Sequence, residues 1–267
     1  MATRRADWGH WRAFFDARRK RAGVRLLAEE AQLAGVPASV ARSLAIFQLG
    51  ESGGGTVVEQ ARRSRLPFVD EHYAEAVALF VDEEHRHAEL LACCVRALRG
   101  RLVERNWTAR LFIFGRRLIG LRLKIMVLLA AEVVGICYYQ LLAGGLPDSE
   151  LKSVLREIAA DEKAHLRFHC DFLQTQMRTG THRRGFVLAW RVLMLAAALV
   201  VLFDHRAALR DLGIPKTRVW KRWMLYSRTA EARIVKGERV SVRSRVNQLM
   251  HLSSISRETR RGSSAIS

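Results

Sequence analysis

Proline is nearly absent, 4 in 267 residues, too few to punctuate a fold of many short strands and tight turns. Cysteine is as scarce, at Cys93, Cys94, Cys137 and Cys170, with no CxxC pair. That spacing argues against a disulfide framework and a cysteine-rich zinc site, and reduced thiols are the expectation. Clean two-residue alternation of apolar and polar residues, the mark of half-buried strands, is also missing. The opening MATRRADWGHWRAFF lacks the continuous apolar core of a secretory leader, so a cytoplasmic setting is expected. GESGGG (Gly50–Gly55) is no dinucleotide-binding loop, because it lies inside a helical pattern instead of after a strand. Acidic residues are outnumbered, 26 against 45 Lys plus Arg, for a net charge of +19. Such a balance suits an anionic partner, either nucleic acid or a membrane surface.

What remains is helical in character, rich in Leu, Ala, Arg and Glu. Residues 1–36 read as a basic amphipathic lead-in. A helix is expected from Ala38 to Arg63, with a break or close approach at Gly53-Gly54-Gly55, and another from Phe68 to Leu98. The basic segment 99–122 then crosses to helices over 123–143 and 150–177, the last capped by Ser149 or Asp148. The bundle so defined spans 37–180. Two further helices, apolar 186–203 and basic 216–236, occupy 181–237, and 238–267 reads as a loose basic tail.

Two acidic-histidine clusters interrupt the helical pattern, DEEHRH (Asp82–His87) and DEKAH (Asp161–His165). Residues three apart share a helix face, so Glu84 with His87, and Glu162 with His165, each offer a carboxylate and an imidazole in one direction. A dimetal site in a bundle core takes two such Glu-x-x-His pairs plus one Glu from each of the other two helices. Glu132 stands alone in the apolar IMVLLAAEVVGICYY, where an unpaired charge is costly. Glu51 lies between AIFQLG and SGGG. Two antiparallel helices bring residues to equal depth when the turn falls midway between them. Pro67 lies midway between Glu51 and Glu84, and Pro147 midway between Glu132 and Glu162. Glu59, the competing choice in the first helix, places the turn inside the second helix.

The completed pattern, E…ExxH…E…ExxH, resembles the ferritin-like di-iron carboxylate proteins over about residues 38–177. The resemblance implies an all-α fold, a ferritin-like four-helix bundle with N- and C-terminal helical extensions. It implies metal ligation by Glu51, Glu84, His87, Glu132, Glu162 and His165. His169, one turn beyond His165, is either an additional ligand, as in some N-oxygenases of that family, or a donor behind the ligands. Asp161 is placed to orient His87 across the bundle, and Asp82 or Glu83 to orient His165. Glu83, His85 and Lys163 are otherwise expected to face solvent. Tyr138 and Tyr139 read as core residues with a polar handle.

Six oxygen and nitrogen donors suit two Fe ions (Fe2+/Fe3+), with Mn the alternative. An iron pair in such a site activates O2, and relatives in the family hydroxylate, desaturate, oxidise amines, or oxidise and store iron. The apolar run FVLAWRVLMLAAALVVLF (186–203) is at the lower limit for spanning a bilayer and carries Arg191. Its basic flanks suit the inner face of a membrane, and a substrate channel or homodimer contact are the other uses. With the ligand pattern, this looks like the membrane-associated quinone hydroxylases of the ferritin-like family. The expectation is a di-iron oxidase or monooxygenase acting on an apolar or aromatic small molecule, fed by an external electron-donor protein. A ferroxidase or metal-handling protein without organic substrate is the first alternative. A basic helical nucleic-acid-binding protein is the second, and it leaves Glu51 and Glu132 unexplained.

Overall fold

In a computed structural model, residues 6–19, 33, 35–53, 55–104, 120–177 and 180–237 are described. The sequence expectations for 20–32, most of the crossover (105–119) and the tail (238–267) lie outside the described residues. Among the described residues there is no strand, and the chain is an all-α helical bundle.

Its core is two helical hairpins. The first joins α2 (Ala38–Glu51) and α3 (Gly55–Arg62) to α4 (Glu71–Ala97). The second joins α5 (Leu121–Gly145) to α6 (Glu150–Gln176). The first helix ends at Glu51, just before Gly53, and Ser52 closes it with an N–H bond to the Gln48 carbonyl. Glycine's conformational freedom makes a continued helix unfavourable there, and Glu51 is left on the terminal turn. Both turns fall where the prolines put them. Asp70 caps α4 by accepting from the Tyr73 N–H at 2.9 Å, and Ser149 caps α6 by accepting from the Lys152 N–H at 3.3 Å. The first turn carries Phe68 in the left-handed region (φ 65°), a conformation that costs a non-glycine residue on the order of 1 kcal/mol. It is pinned from two sides: Trp8 Nε1 donates to the Phe68 carbonyl at 2.6 Å, and Gln176 Nε2 to the Pro67 carbonyl at 2.8 Å.

Helix α5 is apolar around its circumference and therefore buried on nearly all sides. Helix α1 (Trp8–Arg19) lies against α4 and buries Trp8, Trp11 and Phe15. These rings meet Tyr73 and Phe168 in edge and tilted contacts. Each such side chain removed from water contributes about 2–3 kcal/mol, enough to dock a twelve-residue helix that would not persist alone.

Outside the hairpins lie α7 (Gly180–Asp204), the short α8 (Arg206–Asp211) and α9 (Lys216–Lys236). Reciprocal indole bonds join α7 to α9: Trp190 Nε1 donates to the Ser227 carbonyl and Trp223 Nε1 to the Met194 carbonyl, both at 3.2 Å. Only one side of α7 is covered. Leu188, Val192, Leu195, Leu199 and Phe203 remain exposed, and their spacing of three or four residues sets them on one face.

Candidate metal centre

Helices α4 and α6 bring their Glu-x-x-His pairs together where the hairpins meet. One ligand atom from each of Glu84, His87, Glu162 and His165 can be chosen so that all lie within 4.8 Å of one another. All four residues are buried. His165 Nδ1 is 2.9 Å from Glu84 Oε1 and 3.2 Å from Glu162 Oε2. His87 Nδ1 is 3.2 Å from Glu162 Oε1 and 3.7 Å from Glu84 Oε1. Each imidazole therefore meets the carboxylate of its own helix and the one from across the bundle.

The two lone glutamates join from the flanks. Buried Glu132, on α5, places Oε2 3.6 Å from His165 Nδ1 and Oε1 3.3 Å from His169 Nε2, and shares a hydrogen bond with Glu162. Glu51, half-buried at the end of α2, shares one with Glu84 and accepts from Tyr139 Oη at 2.7 Å. Gly135 makes room on α5: a Cβ there would lie 3.3 Å from Tyr139 Cε2 and 3.6 Å from Glu162 Cγ.

So many carboxylates in one dry site cannot all be ionised. Burial, then the negative charges of Glu84 and Glu162, push Glu51 well above the usual carboxylate range. Burial, then Glu162 and Glu84, do the same to Glu132. For Glu162 burial works in that direction too, but its contacts with Glu132, His165 and His87 outweigh it and hold it well below. Burial disfavours the charged imidazoles, yet Asp161 and Glu162 raise His87 to about 9, and the surrounding carboxylates raise His165 strongly. Protons thus supply the positive charge that the carboxylates require.

Behind the histidines stand two more carboxylates. Asp161 Oδ2 is 3.4 Å from His87 Nε2, and Glu83 Oε2 is 2.8 Å from His165 Nε2. Asp161 thus takes the position its sequence context suggested. For His165 the partner is Glu83, buried and not turned to solvent, while Asp82 is exposed. The 100° step between neighbouring helix residues carries Asp82 off the buried arc. His85 and Lys163 face outward as expected.

His169 is buried, with neither ring nitrogen in a hydrogen bond. Burial and the neighbouring His165 charge depress it to about 3, leaving a neutral ring beside Glu132. Tyr139 reaches the cluster through Glu51, whereas Tyr138 turns away to Ser43, whose Oγ is 2.6 Å from His205 Nδ1. The four cysteines are free thiols.

The cluster fits a metal on its own chemistry. Glu84 Oε1, His87 Nδ1 and Glu162 Oε1 are buried without a hydrogen-bond partner, which is costly for a polar atom unless something else binds it. Each is a hard or borderline donor suited to divalent first-row ions. The buried cluster of Glu84, His87, Glu162 and His165 can hold a metal ion. No protein family, curated protein or solved structure matches the chain.

Proposed function

We propose that this chain is a ferritin-like di-iron carboxylate protein that oxidises an apolar or aromatic small molecule with O2. The observation that carries the reading is the doubled Glu-x-x-His arrangement with orphaned buried donor atoms, flanked by Glu51 and Glu132 from the other two helices. Glu84, His87, Glu162 and His165 would hold two Fe ions, or Mn in their place, with Glu51 and Glu132 completing the set. When bound, an iron pair supplies the reduction and activation of O2, which side chains cannot perform. The protein's part is to present these donors in a dry pocket, to fix both imidazoles through Glu83 and Asp161, and to hold Glu51 through Tyr139. Glu51, on the terminal turn and the least buried of the six donors, is the one best placed to move when substrate or solvent enters. Electrons would come from an external donor protein.

The exposed face of α7 supports a second part of the proposal, a peripheral seat on an anionic membrane. Leu188, Val192, Leu195, Leu199 and Phe203 form an apolar stripe, with Trp220 of α9 also exposed. Arg183 and Arg184 lie at one end and Arg206 and Arg210 at the other, all exposed. Self-association through the same stripe would bring two copies of a chain of charge +19 together, whereas anionic lipid headgroups satisfy both features at once.

The test of the central reading is metal analysis of anaerobically purified protein reloaded with Fe2+, followed by O2 uptake on the ferrous form. About two iron ions per chain and O2 uptake are expected. A wild-type chain that takes up no iron in excess Fe2+ overturns the reading. Fe2+ oxidation that an apolar co-substrate never redirects favours a ferroxidase.

A further inference from the structure

Arg18 stands on the last turn of α1, remote in sequence from every candidate ligand, yet its guanidinium reaches the seam between α4 and α6. Nε donates to Glu83 Oε1 at 2.8 Å, and Nη2 pairs with Asp161 Oδ1. The second oxygens of these same carboxylates meet the histidines: Glu83 Oε2 faces His165 Nε2, and Asp161 Oδ2 faces His87 Nε2. One guanidinium therefore grips one oxygen of each of the two carboxylates that back the two imidazoles.

We propose that Arg18 is a positioning residue for both histidines, so that α1 sets how tightly the centre binds metal. This rests on the dimetal reading. A guanidinium is a planar fork of five donors and can bond two carboxylates at once; an ammonium is a point charge and cannot match that geometry. Arg18 has only 11% of its side chain exposed, so solvent screens these bonds weakly. Removing it frees Glu83 to rotate, leaves Asp161 held by Arg86, and concentrates the charge of both carboxylates on the imidazoles.

Arg86 does not duplicate this role. It bonds Asp161 Oδ2 at 2.6 Å and Glu157 at 2.9 Å, and lies 3.9 Å from Glu83 Oε1, leaving the close contacts to Glu83 Oε1 and Asp161 Oδ1 with Arg18. Nor does docking of α1 depend on Arg18. Trp8 and Trp11 anchor it through bonds to the Phe68 carbonyl and to Asp171 Oδ2, the latter at 3.1 Å.

The experiment is Co2+ titration of the full chain against a chromophoric chelator, with visible spectra, for wild type, Arg18→Met, Arg18→Lys and Arg12→Ala. Arg12 lies on the same helix but pairs with Glu75 at the surface, 3.0 Å away. Arg18→Met is expected to weaken Co2+ binding by about 10-fold, the lower end of the cost of losing an outer partner of a metal-bound histidine, since Arg18 acts through Glu83 and Asp161, and to shift the ligand-field bands. Arg18→Lys falls between, and Arg12→Ala matches wild type. Wild-type affinity and bands in Arg18→Met overturn this proposal and leave the dimetal reading standing. An equal loss in Arg12→Ala also overturns it, reducing the effect to docking of α1. A wild-type chain that binds no Co2+ removes both proposals.

Discussion

Asp161 and His87 face each other across the bundle, carboxylate to imidazole at 3.4 Å, with each residue held by the helix that carries the other half of the site. Glu83 and His165 repeat the relationship in the opposite direction at 2.8 Å. In each case the residue just before an inward glutamate on one helix backs the histidine of the other. The two halves of the centre are therefore coupled: no helix orients its own histidine alone.

The first prediction concerns Glu162, which approaches both imidazoles. Glu162→Gln keeps the shape but removes a charge and a donor oxygen. It is expected to bring bound iron below two per chain and to lower affinity at least about tenfold, the chain remaining folded. Metal analysis with near-ultraviolet circular dichroism checks both parts, and full iron loading in this variant contradicts the assignment.

A second prediction follows from the protons in the metal-free site. His87 is raised from 6.5 to about 9, so the folded state binds its proton more tightly than the unfolded chain. The resulting stability is complete below about pH 6.5 and is lost as the pH rises through about 9. His165, Glu51 and Glu132, also raised, act with the same sign. Glu162 is lowered, so its contribution is lost only in acid and stays constant over this window. Metal-free protein should thus become less stable to urea between pH 6.5 and 9, by on the order of 3 kcal/mol from His87. Metal competes with these protons, so its affinity rises over the same range. A flat or rising stability profile of the metal-free chain contradicts this account.

Much of this arrangement was legible in the sequence, and the exceptions have physical causes. Pro67 and Pro147 fall at the hairpin turns, so equal depth could be read from residue numbers, and the isolation of Glu132 marked it as an inward charge. Glu83 was harder. A helix packed on two neighbours buries a wider arc than one face, so Glu83, Glu84 and His87 all turn inward while Asp82 does not. Arg18 carries no signal at all, because nothing in a linear chain ties the end of a lead-in helix to a carboxylate on α6. Gly135 was equally silent, since its role is the space it leaves for the Tyr139 ring beside Glu162.

That space gives a third prediction. In Gly135→Ala the new methyl meets the Tyr139 ring at 3.3 Å and Glu162 Cγ at 3.6 Å. Alanine favours the helix by about 1 kcal/mol, which offsets the small shift of the ring. Thermal stability of the metal-free protein is expected to change little while metal affinity falls several-fold, because the displaced group is the Tyr139 ring, whose hydroxyl holds Glu51. Parallel melting curves and Co2+ titrations separate the two effects. A drop in stability with unchanged affinity places the strain elsewhere.

The last prediction addresses α7. Leu195 and Leu199 are 52% and 60% exposed, so Leu195→Glu combined with Leu199→Glu removes nothing from the core and leaves the fold intact. Full burial of a leucine in an apolar phase contributes about 2 kcal/mol, and a carboxylate opposite anionic headgroups adds repulsion. Wild-type protein is expected to float with vesicles containing phosphatidylglycerol and much less with pure phosphatidylcholine, with binding that weakens as salt rises. The double variant should lose at least about 100-fold in vesicle affinity while keeping its iron content, since the stripe lies outside the metal cluster. If wild type instead ignores anionic vesicles but sediments as a dimer that the double variant disrupts, the stripe is an interface between two copies of the chain.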